Sequence, residues 1–119
     1  MSYFKLLVCL CLKMMEEDLF NDIRKHFCEH EAGVNEGKMM SSEAITFRGK
    51  VFAFFSRQKM MVFKLGKDFN PDNAGIEIRV FNPFTNRPPL NGWFEVPYTE
   101  NKEWKPLAKR ALNLLKSEL

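Results

Sequence analysis

His26 and His30 stand four residues apart with Cys28 between them, and on a helix that spacing puts two imidazoles on one face, as a zinc site requires. At 100° per residue Cys28 points well away from the pair, and no third ligand is evident in the chain. Functional zinc needs three or four ligands. The expectation is therefore no bound metal, with His26 and His30 as the nearest approach to one. Asp68, Asn70 and Asp72 reproduce the first three positions of a calcium loop, but Asn73 stands where the sharp turn needs glycine and Arg79 where the bidentate glutamate belongs. A polar turn between strands accounts for them.

Covalent catalysis would need a nucleophile beside a base. Ser41 and Ser42 lack a nucleophile elbow, and Cys28 has only same-helix histidines nearby in sequence. No glycine loop suited to cradling phosphates is present. The acids Glu16-Glu17 and Glu29 with Glu31 fall on the exposed part or the ends of a helix, where a solvated face explains them. The expectation is a protein that is not an enzyme and carries no cofactor.

The remaining chemistry is charge. The net charge of +3 is uneven: residues 1 to 40 carry five Lys/Arg against seven Asp/Glu, and residues 41 to 119 carry thirteen against eight. From Ala44 to Lys67 the cations Arg48, Lys50, Arg57, Lys59, Lys64 and Lys67 meet no acid and interleave with Phe47, Phe52, Phe54, Phe55 and Phe63. Clustered cations beside aromatic rings are what single-stranded nucleic acids bind. The phenylalanines, however, sit at strand-core positions, and a pI of 8.8 is milder than most such domains show. Nucleic-acid binding through Arg48, Lys50, Arg57, Lys59 and Lys64 is thus the alternative reading rather than the first.

The elements that carry these residues follow from periodicity. Met15, Leu19, Phe20, Ile23 and Phe27 share one helical arc, acids crowd the first turn and Gly33 can cap the end, which predicts a helix over residues 14 to 31. Three strands follow at Ala44 to Arg48, Val51 to Phe55 and Met60 to Leu65, joined by links short enough only for hairpins. Ile76, Ile78 and Val80 alternate with Glu77, Arg79 and Phe81 as a fourth strand, and Trp93 to Val96 is a fifth, closed by Pro97. Trp104, Leu107, Ala108, Ala111, Leu112 and Leu115 repeat at helical spacing, with Pro106 expected in the first turn and a start between residues 102 and 105. Strands grouped between two helices predict an α+β fold: two layers, an antiparallel sheet of about five strands, and both helices on one face.

At 119 residues the chain suits one domain, residues 14 to 119. Residues 1 to 13 stand apart: the apolar run Leu6 to Leu12 is short of the roughly 20 residues that span a bilayer and lacks a cleavage site. Met14 or Met15 is an alternative start. Three cysteines make no disulfide framework, which fits a reducing, cytoplasmic setting away from membranes.

Met39-Met40-Ser41-Ser42, Gly49 to Lys64, Arg87 to Pro97, and Trp104 with Leu107, Ala108 and Ala111 together resemble the TfoX N-terminal domain family. The resemblance covers most of the chain, and where that family carries Met-Phe-Gly-Gly this one has Met39 to Ser42. It implies a two-layer fold shaped like secretion chaperones and a role like that of competence-gene regulators, without implying any catalytic residue. The expected function is a non-catalytic regulatory or protein-interaction module.

Two surfaces are expected to serve it. In the third strand Met60 and Val62 turn away from the helices, and the wholly apolar second strand must place Phe52 with Phe54, or Val51, Ala53 and Phe55, on that far face. An apolar patch of Met60, Val62, Phe52 and Phe54 would suit a homodimer or a regulatory partner; the alternative is that the N-terminal segment or the loops cover it. The proline-stiffened loop Asn82 to Gly92, with Arg87, Leu90 and the following Trp93, is the second candidate.

Overall fold

Glu16, Glu17 and Asp18 gather in the first turn of helix α1 (Met15–His30), where unpaired N–H groups favour negative charge. Gly33, at φ +84°, ends the run in the left-handed conformation. The computed structural model describes residues 15–82 and 91–119. After α1 come β1 (Val34–Met39), β2 (Ser42–Phe47), β3 (Lys50–Phe55), β4 (Met61–Lys64), β5 (Arg79–Val80), β6 (Trp93–Val96) and helix α2 (Asn101–Glu118). All neighbouring strands are antiparallel, in the order β1-β2-β3-β4-β6-β5. The fold is α+β, as expected, with both helices packed on one face of the sheet.

That face holds the main core. Phe20, Ile23 and Phe27 of α1 and Trp104, Leu107, Ala108, Ala111, Leu112 and Leu115 of α2 meet Ile45, Phe52, Ala53, Met61, Phe63, Phe94 and Val96 of the strands. Trp104 is its anchor. Its Nε1 donates to the carbonyls of Val96 and Pro97, each at 3.2 Å, and its ring lies against Tyr98 and Phe55.

Several expectations change at the level of elements. A sixth strand, β1, forms from Val34–Met39, whose glycine and alternating charges carry little strand signal; pairing with β2 supplies what propensity does not. The fourth strand shrinks to Arg79–Val80. Arg79 pairs with Glu95, so Glu77 falls opposite Pro97, which has no N–H to give, and the Glu77 amide donates to the Glu100 carboxylate instead. Helix α2 begins at Asn101, earlier than expected, which leaves Pro106 inside it. Pro106 is only the sixth residue, so the single backbone bond it forfeits is that to the carbonyl of Lys102, at an exposed site water can reach.

The crossing between β4 and β6 needs glycine. Gly92, at φ +86°, accepts at its carbonyl from the amides of Leu65 (2.8 Å) and Gly66 (3.1 Å), and a Cβ there would stand 3.3 Å from the Gly66 carbonyl carbon. Gly92→Ala should therefore cost about 1–3 kcal/mol, from left-handed strain plus crowding. Urea unfolding of the two proteins checks this.

Glu31 ties the end of α1 to α2. Its carboxylate accepts from Lys109 and Lys116, and those hydrogen bonds pull its pKa from an ordinary 4.5 down to about 2. A folded-state pKa below the unfolded one stabilises the fold above pH 4.5, and that share is lost as pH falls from 4.5 toward 2. Glu31→Gln should flatten the dependence of Tm on pH across that window. The remaining slope would come from groups such as Glu43, which is lowered by Lys38 and then Arg24.

Candidate functional site: a cup on the outer face of the sheet

The face of the sheet away from the helices is shaped by one irregularity. Ile45 pairs with Ala53 but Thr46 with Val51, so Phe52 is an extra residue in β3 and the side-chain alternation slips there. Phe52, Ala53 and Phe55 all turn toward the helices, and Val51 and Phe54 turn away. Neither of the two alternations expected from the sequence occurs, because strict period-two counting does not survive a bulge.

On the outer face Ala44, Phe54, Val62 and Phe81 form a second small core, with Met39, Val51 and Trp93 packed around it. Phe81 stands edge-on to Phe54 with ring centroids 5.2 Å apart, and Trp93 leans on Phe54 at 5.6 Å. Val62 is 0% and Phe54 1% exposed. The expected contact patch of Met60, Val62, Phe52 and Phe54 is thereby corrected: Phe52 belongs to the main core, Phe54 and Val62 are buried in the second core with Phe81, just after β5, and Trp93 of β6, and of the four only Met60 reaches solvent.

Beside this core lies a cup of about 510 Å³, lined by Met40, Ser42, Phe54, Ser56, Arg57, Gln58, Arg79, Phe81, Asn82 and Glu95. Its size lies within the range of small-ligand pockets. Phe54 and Phe81 give it an aromatic floor. Arg79 is ion-paired across the strands with Glu95, while Arg57 is exposed with no ion-pair partner among the described residues. Ser56 Oγ is committed to the Met60 amide (3.3 Å) in the β3–β4 turn.

The remaining wall is the β1–β2 turn. Met40 (φ +49°) and Ser41 (φ +72°) both take the left-handed region, which makes a two-residue hairpin turn of the type that favours Asn-Gly. Neither residue is glycine, so the turn carries strain of about 1–2 kcal/mol per residue. It leaves Met40 47% exposed at the lip of the cup.

The other expected residues fall elsewhere. Arg48 lies in the β2–β3 turn, Lys50 directly follows it and Lys64 ends β4 at the same end of the sheet, whereas Arg57 and Lys59 lie in the β3–β4 turn at the opposite end. The six residues of β3 separate the two groups by roughly 17–20 Å, well beyond the ~8 Å screening length of physiological salt. The stretch is continuous in sequence but not in space. Within it, Lys64 approaches Glu118 (3.9 Å) and Arg48 lies over the Phe47 ring.

His26 and His30 stack with centroids 4.4 Å apart, and His30 Nδ1 sits 2.8 Å from the His26 carbonyl, to which it donates. Burial, followed by Lys105, lowers the pKa of His26. No group of three His, Cys, Asp or Glu among the described residues could hold a metal ion. Cys28 is half-buried, and burial followed by Glu36 raises its pKa, the opposite of an activated thiol. Asn70 uses its side-chain oxygen to accept from the Asp72 amide (3.0 Å), capping the turn at Pro71–Asn73. Arg87 and Leu90 lie outside the described residues, as do residues 1 to 14, and Trp93 is half-buried against Phe54. No helix among the described residues is long and apolar enough to cross a membrane.

The structure thus joins Phe54 and Arg57, expected in separate surfaces, and adds Met40, Ser42, Gln58, Arg79, Phe81 and Glu95. Phe81 carried a readable signal: an aromatic on the polar side of an alternating strand marks a second apolar layer. Comparison with known protein families, curated proteins and solved structures gave no match to this chain.

Proposed function

We propose that this chain is a non-catalytic protein-interaction module of the regulatory kind its resemblance to TfoX N-terminal domains implies, and that the cup receives a segment of its partner. The observation that carries this is the juxtaposition of an aromatic floor, an exposed Arg57 with no ion-pair partner among the described residues, and a strained turn that lifts Met40 to the lip. Strain held at a surface is a mark of function. The matching ligand is an extended peptide with a bulky apolar side chain for the floor and an acidic group for Arg57. The split of the basic residues between two ends of the sheet weighs against the nucleic-acid alternative.

Selection from a displayed peptide library tests it. Peptides enriched on the wild type should share an acidic residue beside a bulky apolar one and be lost on Arg57→Glu. Met40→Asn with Ser41→Gly should also weaken them, while relieving strain and raising stability by about 1–2 kcal/mol. No enrichment, or enrichment that survives Arg57→Glu, overturns the proposal. Retention on a nucleic-acid column that falls steeply with salt would favour the alternative.

A further inference from the structure

β1 is the last strand at one edge of the sheet, and no described strand pairs with its outer side. Such an edge is a template for another strand. Met39 and Ser42 flank a two-residue hairpin turn and so form a hydrogen-bonded pair, after which the direction of the backbone groups alternates along β1. Two contacts fix the phase. The carbonyl of Gly33 accepts from the Arg48 amide (2.9 Å) and that of Asn35 from Thr46 Oγ1 (3.1 Å), so residues 33, 35, 37 and 39 bond inward to β2. Glu36 and Lys38 therefore turn their N–H and C=O groups outward.

We infer that β1 pairs antiparallel with β1 of a second copy of this chain, about a two-fold axis at Gly37, to make one continuous sheet. In that register Glu36 lies opposite Lys38 of the partner subunit, and each such pair exchanges two backbone hydrogen bonds, four in all. Both side chains lie on the helix face, because Arg24 of α1 reaches Glu36 (3.2 Å) and Glu43 (2.8 Å), and Lys38 reaches the same Glu43 (2.6 Å). The dimer strings these charges in alternating sign: Arg24, Glu36, Lys38 of the partner subunit, Glu43 of the partner subunit. Opposite charges directly across a strand pair stabilise it.

Gly37 is glycine because a Cβ would stand 2.5 Å from Thr46 Cγ2, and it leaves the axis free of side chains. The groove between α1 and β1, lined by Asn21, Arg24, Lys25, Cys28, Asn35 and Glu36, runs along the same edge and adds contact area. This pairing is independent of the cup, which lies on the outer face.

Sedimentation of the wild type at about 10–100 μM, the range suited to a small polar interface, should give a dimer of two 14.0 kDa chains. Glu36→Lys and Lys38→Glu each place like charges opposite one another twice and should be monomeric. Mixed in equal amounts they should dimerise, because every opposed pair is then attractive. Hydrogen exchange on the wild type needs no variant: the amides of Glu36 and Lys38 should be protected at high concentration and lose that protection on dilution. A wild type monomeric throughout this range, a dimer that survives both substitutions, or unprotected amides at both positions at every concentration overturns the inference.

Discussion

Val62→Asp should unfold the domain at room temperature. Val62 has no exposed surface, and its cross-strand neighbours are Phe54 on one side and Glu95 on the other. A carboxylate there is cut off from water beside the rings of the second core and faces the like charge of Glu95. Leaving a buried charge unpaired costs more than about 4–5 kcal/mol, against a total stability of about 5–15 kcal/mol for a domain. Val62→Ala, which only removes volume, should cost about 2 kcal/mol and leave a folded protein. Val62→Lys falls between the two, because an ammonium can reach the Glu95 carboxylate in competition with Arg79. Circular dichroism and denaturant midpoints for the three variants read this order directly. A folded Val62→Asp protein with wild-type stability would mean that the outer face is open surface after all.

The second large effect is expected at Trp104. Its ring is wholly buried between α2 and the sheet, against Phe55 and Tyr98. Truncation to alanine should cost about 3–5 kcal/mol and lower Tm by roughly 10–20 °C. Trp104→Phe keeps most of the apolar burial but loses the N–H shared by the Val96 and Pro97 carbonyls. It should cost about 1–2 kcal/mol, the loss of a buried hydrogen bond, with the Pro97 carbonyl still accepting from the Glu100 amide (3.0 Å). If the two substitutions were equally damaging, the hydrogen bond rather than the ring would be the anchor.

What could be read in advance followed the strength of the periodic signal. Both helices declared themselves through apolar residues recurring at 3.6-residue intervals, and the strands around Phe47, Phe54 and Phe63 through short apolar and aromatic runs bounded by turn residues. β1 did not, since Val34–Met39 holds one buried apolar residue and depends on its partner strand for order. The slip at Phe52 was unreadable for a different reason: a run of five apolar residues looks the same with and without a bulge. The cup was hidden by the same limits. Its floor joins Phe54 to Phe81 across β4 and β6, a contact that exists only once the strand order is known. The turn at Met40-Ser41 carries none of the glycine, asparagine or aspartate that mark a two-residue hairpin turn, so its left-handed geometry shows only in the backbone.

The strand order also bears on how the chain fares while it is being made. β6 lies between β4 and β5 in space yet leaves the ribosome after both. Until it docks, the free side of β4 shows Met61, Val62 and Phe63, apolar on both faces, with its backbone unpaired. The chain from Gly66 to Gly92 must be synthesised first, which at about 5–20 residues per second takes roughly 1–6 s. Through that interval the nascent protein carries an exposed adhesive edge that the finished one lacks. Slower translation across residues 66 to 92 would lengthen that exposure, and a chaperone holding β4 would have its whole effect within it.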